Sequence, residues 1–132
     1  MKLFEERQKQ NNTKAIALKF NVYINSRDVE KLAELMTNDH VFIDMENNRI
    51  EGAHDNINIA WKPFFNLFPD YQNVFERVVV KDNRAIMEGY SVCSDKRFNN
   101  LRAIWVAEVR DDKISLWRIY PNTKENKTFL GI

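Results

Sequence analysis

The hydrophobic period of this sequence changes once, near Asn73, and this change constrains the fold more than any other feature. Before Asn73, apolar residues recur at three- and four-residue spacing, which is typical of amphipathic helices. After it, they alternate with polar residues, as in half-buried strands. We predict four strands, at residues 74–81, 84–94, 101–110 and 114–120. A helical half followed by a run of strands predicts an α+β domain.

The turns between the predicted strands indicate how they pair. Asp82-Asn83 and Asp111-Asp112 are short and polar, and such turns join antiparallel neighbours. We therefore expect three N-terminal helices to pack in the concave face of a curved, mostly antiparallel sheet. No low-complexity segment or Pro/Gly-rich linker interrupts the sequence, which predicts one domain over residues 1–132.

The helical half also contains one short predicted strand, at residues 41–44. It follows a polar stretch at residues 37–40, and we expect His40, near the start of the strand, to be a surface or capping residue. The third predicted helix starts near Ala53 and contains Pro63 within its apolar stripe. Proline removes one helical hydrogen bond, so this helix should kink or restart at residue 62.

The charge balance argues against several classes of partner. The 132 residues include 20 basic and 19 acidic side chains, so no net field attracts nucleic acid or a membrane surface. The first residues are charged and lack the apolar run of a signal peptide, and no apolar stretch approaches the ~18 residues of a membrane span. The single cysteine, Cys93, favours a reducing compartment. We expect a cytoplasmic protein with no nucleic-acid or membrane partner.

The sequence also offers little for metal or cofactor chemistry. It contains two histidines and one cysteine, and these residues form no close ligand cluster. It contains no Gly-rich phosphate loop. We predict no metal site and no cofactor.

Several short motifs occur in a recognisable order. They are Asn25-x-x-Asp28, Asp39-x-Val41-Phe42-x-Asp44, Gly52, Phe64-x-x-x-Phe68-Pro69-Asp70, Asp82-Asn83-Arg84-Ala85 and Asp112-Lys113-Ile114. Together they resemble the nuclear transport factor 2-like superfamily, and within it the SnoaL-like branch of polyketide cyclases and ketosteroid isomerase-like proteins. The resemblance implies a cone-shaped domain with a pocket between the helices and the sheet.

The resemblance makes Asp44 the candidate catalytic residue, because it falls where ketosteroid isomerases keep their proton-shuttling base. Those enzymes also need a tyrosine and a protonated aspartate to form an oxyanion hole. By the same alignment these positions hold Phe20 and Trp105, which argues against ketosteroid isomerisation. The alternative for Asp44 is a structural carboxylate that hydrogen-bonds a turn.

The resemblance and the alternation of the strands together predict the pocket wall. Glu88 and Tyr90 share one face of their strand, and the alignment turns that face inward; in the opposite register Glu88 is solvated. The residues expected to line the pocket are Phe20, Ile24, Trp61, Phe65, Glu88, Tyr90, Trp105 and Trp117. The alternative for the aromatic members is ordinary core packing.

Three functions follow as hypotheses, and the sequence leaves open whether the protein is an enzyme. The first is binding of a small apolar or aromatic ligand in the cone. The second is a lyase or isomerase with Asp44 as general base, and the third is a dimeric adaptor. We also expect a homodimer formed through the outer sheet face, where Met87, Ile104 and Val106 are predicted to lie beside charged residues.

Overall fold

A computed structural model describes residues 2–132. Helices and strands follow one another in the order α1 (Lys2–Asn25), α2 (Val29–Glu34), β1 (Met36–Ile43), β2 (Arg49–Glu51), α3 (Ala53–Asp55), a π-helical segment (Asn56–Trp61), α4 (Lys62–Leu67), β3 (Gln72–Lys81), β4 (Arg84–Val92), β5 (Leu101–Arg110), β6 (Lys113–Pro121) and α5 (Lys124–Leu130). Within residues 2–132, no helix combines the length and hydrophobicity that crossing a membrane requires.

The six strands form one curved sheet in the order β2-β1-β6-β5-β4-β3. The pair β1–β6 is parallel, and the other four pairs are antiparallel. The N-terminal helices pack on one side of this sheet, which we call the inner face; the opposite side is the outer face. The predicted α+β fold with helices on a mostly antiparallel sheet is confirmed.

The third predicted helix is interrupted, in agreement with the position of its proline. The chain is π-helical from Asn56 to Trp61, and α-helical hydrogen bonding resumes at Lys62, one residue before Pro63. The wider π-helical turn makes room for the pyrrolidine ring of Pro63, which has no N–H to donate to the preceding turn. The last residue of the wide turn, Trp61, points into the core and is 5% exposed.

The strand predicted at residues 41–44 starts earlier than expected, because β1 already begins at Met36. The strand pairs with β6 from the start, with Met36 opposite Ile114. The expectation that His40 is exposed is therefore wrong. His40 has no solvent-exposed surface and packs 5.7 Å from the ring of Phe20.

The face of β4 that the sequence assigned to the pocket is the outer face. Met87 lies in the main core on the inner face, whereas Ile86 belongs to a separate cluster on the outer face. The inner face also carries Gly89, where a Cβ atom would lie 1.9 Å from the carbonyl oxygen of Val74. Only glycine fits this close approach, which is next to a bulge in β3.

The C-terminal helix α5 covers part of the outer face. Leu130 packs on an apolar cluster of Ile86, Ile104 and Val106. This patch contains two of the residues expected at a homodimer interface, Ile104 and Val106; the third, Met87, lies on the inner face. The homodimer itself stays a prediction.

Candidate functional site

A cavity of about 630 Å³ lies between the inner face of the sheet and the helical segment that contains Trp61. Most of its lining side chains are apolar. The apolar aromatic side chains of the wall are Phe42, Trp61, Phe64, Phe98, Trp105 and Trp117. This volume is within the range of small-molecule sites, which enclose ~300–1,000 Å³.

The aromatic wall is assembled from strands on one side and a helix on the other. Trp105 and Trp117 project from the neighbouring strands β5 and β6, and both are essentially inaccessible to solvent. Phe42 on β1 is paired in register with Trp117. Trp61 approaches from the helix and contacts Phe42 edge to face, with ring centroids 5.4 Å apart.

The three tryptophans of the wall carry unused hydrogen-bond donors. The indole Nε1 atoms of Trp61, Trp105 and Trp117 are buried, and none has a hydrogen-bond partner within residues 2–132. Buried polar groups in folded proteins are nearly always paired. Three unpaired donors therefore belong to residues of one cavity wall.

A smaller part of the wall is polar and buried. Tyr71 immediately before β3, Asn73 at the start of β3 and Ser91 on β4 all line the cavity. Burial raises the pKa of Tyr71, so its hydroxyl keeps its proton at neutral pH. None of these three residues belongs to the pocket wall predicted from the sequence, although the i, i+2 spacing of Tyr71 and Asn73 is that of one strand face.

Three of the lining residues carry charge, and none of them is buried. They are Asp44, Glu46 and Arg97. Arg97 is held by the carboxylate of Asp95, through Nε–Oδ1 and Nη2–Oδ2 hydrogen bonds of 3.0 and 2.9 Å. These bonds lower the pKa of Asp95 to about 2. The guanidinium also lies 5.7 Å from the centroid of the Phe98 ring.

Asp44 is a turn residue as well as a lining residue. Its Oδ1 accepts hydrogen bonds from the backbone N–H groups of Glu46 and Asn48, each 2.9 Å long. Its Oδ2 accepts a third bond of 3.0 Å from the side-chain amide of Asn48. Both carboxylate oxygens therefore hold the connection between β1 and β2 in place.

A family model described as a SnoaL-like domain matches residues 18–117. The chain belongs to the SnoaL-like domain family. The match spans α1 from residue 18 through the strands to Trp117, so it includes most of the cavity wall. No curated protein matches the sequence of this SnoaL-like domain.

Solved structures share the fold of this SnoaL-like domain at low sequence identity. A candidate ketosteroid isomerase from Kribbella flavida is 23% identical, with a TM-score of 0.70 over 85% of this chain and 78% of that one. A nuclear transport factor 2-like protein of unknown function from Cytophaga hutchinsonii is 12% identical, with a TM-score of 0.68 over 91% and 95%. An LEH-like epoxide hydrolase from M. tuberculosis is 17% identical, with a TM-score of 0.72 over 92% and 90%. At these identities the likeness concerns the fold alone.

The site residues predicted for this SnoaL-like domain fall into three groups. Those that line the cavity are Asp44, Trp61, Trp105 and Trp117. Those buried in the core outside the cavity lining are Phe20, Ile24 and Phe65. Those on the outer face are Glu88 and Tyr90, whose assignment to the pocket wall is corrected.

The contacts of Glu88 and Tyr90 explain this correction. Glu88 forms a 2.8 Å ion pair with Lys127 of α5, which lowers the pKa of Glu88, and Tyr90 packs under the guanidinium of Arg102. Within residues 2–132, no group of three or more His, Cys, Asp or Glu side chains is arranged to hold a metal ion.

The turn bonds of Asp44 lead to a first prediction. Asp44→Ala is expected to lower the free energy of unfolding by about 1–3 kcal/mol, because two backbone N–H groups lose their acceptor. Asp44→Asn keeps an oxygen for those groups and should stay within about 1 kcal/mol of the wild type. Urea melts of the three proteins at neutral pH measure both values. An alanine variant as stable as the wild type would contradict the structural role of Asp44.

Proposed function

We propose that this SnoaL-like domain binds a small, uncharged, ring-bearing molecule in its cavity. The observation that carries the proposal is the wall of three tryptophans with unpaired indole N–H groups around about 630 Å³ of space. Flat aromatic surfaces favour a ligand with rings, since offset and edge-to-face contacts add to the burial of apolar area. The indole N–H groups favour a ligand that also carries a hydrogen-bond acceptor.

The electrostatics of the wall support an uncharged ligand. Among the described residues that line the cavity, none of the three that carry charge is buried. Arg97 there is already paired with Asp95, and both oxygens of Asp44 are engaged by the turn. A charged group in the buried part of the cavity would lose its hydration without gaining an ionic partner, which is strongly unfavourable.

The proposal includes no catalytic step. The alternative enzyme would use Asp44 as general base with Glu88 or Tyr90 as partner. Both oxygens of Asp44 accept hydrogen bonds from the turn, and the other two side chains project from the opposite face of the sheet. The cavity also weakens the hypothesis of a dimeric adaptor, because a domain that acts only through protein contacts has no need of an open cavity.

The natural reporters of binding are the tryptophans. All three tryptophans of the chain line the cavity, so intrinsic fluorescence reports on this site. We expect N-phenyl-1-naphthylamine, an uncharged aromatic dye, to bind with 1:1 stoichiometry and to quench the tryptophan emission by energy transfer.

Two neighbouring residues supply a matched pair of variants for this experiment. Ala60 lines the cavity, whereas Ile59 projects into solvent. Ala60→Phe should weaken dye binding at least tenfold by filling space, and Ile59→Phe should leave it unchanged. No saturable binding to the wild type, or equal binding to both variants, would overturn the proposed function. Native mass spectrometry of the purified protein then identifies a ligand retained from the cell.

A further inference from the structure

One segment of the cavity wall has an arrangement that simple core packing does not explain. It consists of Tyr71, Asn73 and Ser91, and we call it the polar segment. Asn73 and Ser91 are paired opposite each other on β3 and β4. All three side chains are more than nine-tenths buried, yet all three line the cavity.

Helix α1 holds Asn73 in one orientation. Asn25 forms two hydrogen bonds with the backbone of Asn73: its Oδ1 accepts from the N–H at 2.8 Å, and its Nδ2 donates to the carbonyl at 3.0 Å. One helical turn earlier, Asn21 Oδ1 accepts from the side-chain Nδ2 of Asn73 at 3.0 Å. Because Nδ2 is committed to Asn21, the amide presents its oxygen as the free atom. That oxygen is buried and has no partner within residues 2–132.

The neighbouring hydroxyl of Ser91 does not supply the missing donor. Ser91 Oγ donates its one proton to the carbonyl oxygen of Phe98. That proton is therefore not available to Oδ1 of Asn73, which stays a free acceptor.

From this arrangement we infer that the polar segment recognises a hydroxyl group on an uncharged ring-bearing ligand, an inference that rests on the proposed function. The ligand O–H donates to Oδ1 of Asn73, which satisfies the buried oxygen. An ether or hydrocarbon of the same shape leaves that oxygen unpaired. A site built with a buried acceptor discriminates against such analogues for this reason.

Three small probes of one shape test the inference. They are 4-propylphenol, which carries a neutral donor, 4-propylanisole, in which a methyl group replaces the donated proton, and 4-propylbenzylamine, which is cationic at neutral pH. Dissociation constants come from equilibrium dialysis against the full chain. We expect the phenol to bind about fivefold to tenfold more tightly than the anisole, the range that one hydrogen bond in a buried site supplies. We expect the amine to bind more weakly than either.

Two variants assign the discrimination to Asn73. Asn73→Leu removes the acceptor but keeps the backbone bonds to Asn25, and it should equalise the affinities of the phenol and the anisole. Thr37→Val is the control, because it removes a buried hydroxyl outside the cavity lining and should keep the wild-type ratio. Far-UV circular dichroism confirms that both variants fold.

The outcomes separate this inference from the proposed function. If the wild type takes up none of the probes, and the dye fails as well, the proposed function is wrong. If the phenol and the anisole bind the wild type equally, or the amine binds most tightly, the cavity takes ligands but the recognition of a hydroxyl group is wrong. The wild-type ratio alone decides this, even if Asn73→Leu does not fold.

Discussion

Replacing Trp61 by alanine is expected to lower the free energy of unfolding by about 3–5 kcal/mol, the usual range for removing a large buried aromatic side chain. Trp61 is 5% exposed and packs against rings from two other elements as well as its own helix. Its ring centroid lies 5.4 Å from those of both Phe42 and Phe65. Because the cavity adjoins this position, the surrounding side chains have little to collapse onto, and the lost contacts are not replaced.

The matched control is Ile59→Ala in the same π-helical segment. Ile59 is 62% exposed, so its truncation tests the local backbone without touching the core. We expect a change of less than about 0.5 kcal/mol, as for other surface substitutions. Urea melts of the two variants and the wild type measure the difference. Similar midpoints for both variants would show that Trp61 does not anchor the helix to the sheet.

The order of elements could be predicted because it depends on local signals. Hydrophobic period separates helices from strands, and the polar turns at Asp82-Asn83 and Asp111-Asp112 fix the hairpins. The inward placement of Trp105 and Trp117 follows from the same alternation, since both side chains are large and apolar. These features need no knowledge of distant partners.

The orientation of β4 could not be predicted, because both of its faces carry apolar residues. Ile86 and Met87 are equally suited to a core, and each is buried on its own side of the sheet. The deciding contacts come from far along the chain. Glu88 pairs with Lys127 of the C-terminal helix, and Gly89 meets the backbone at Val74. Neither contact can be predicted from the alternation of apolar and polar residues along β4.

Asp44 and Asn73 show the same limit at the site. The turn role of Asp44 has a local signal, since an aspartate at the start of a turn typically accepts from the backbone N–H two residues later, here that of Glu46. The role of Asn73 has no such signal, because its partners Asn21 and Asn25 are about fifty residues away on α1. The resemblance to a family with a known base identifies Asp44 as a candidate, and no corresponding signal identifies Asn73.

The buried His40 is expected to make the stability of the protein depend on pH between 6.5 and about 4. Its Nδ1 lies 2.7 Å from the carbonyl oxygen of Ile114, which can only accept, so Nδ1 carries the proton. Its Nε2 is buried without a partner within residues 2–132. Protonation would place a charge there, and burial therefore lowers the pKa of His40 from 6.5 to about 4.

The direction of the effect follows from proton uptake. Below pH 6.5 the unfolded chain binds a proton at His40 that the folded protein does not bind until pH about 4. The contribution of His40 to the free energy of unfolding is therefore greatest above pH 6.5. It falls as the pH is lowered, until the folded protein also binds the proton. At 1.36 kcal/mol for each pKa unit, the loss amounts to about 3 kcal/mol.

Two substitutions isolate this contribution in urea melts from pH 8 to pH 4. His40→Asn keeps an N–H that can donate to Ile114 but has no group that titrates in this range. We expect the variant to be less stable than the wild type at pH 8. Between pH 8 and pH 4 its free energy of unfolding should fall about 3 kcal/mol less than that of the wild type. His54→Asn is the control, because the side chain of His54 is 87% exposed and should leave the wild-type profile unchanged. Carboxylates that titrate near pH 4 contribute equally to all three proteins and cancel in the comparison. Parallel pH profiles of the wild type and His40→Asn would show that His40 is hydrated or protonated in the folded state, in conflict with its burial on β1.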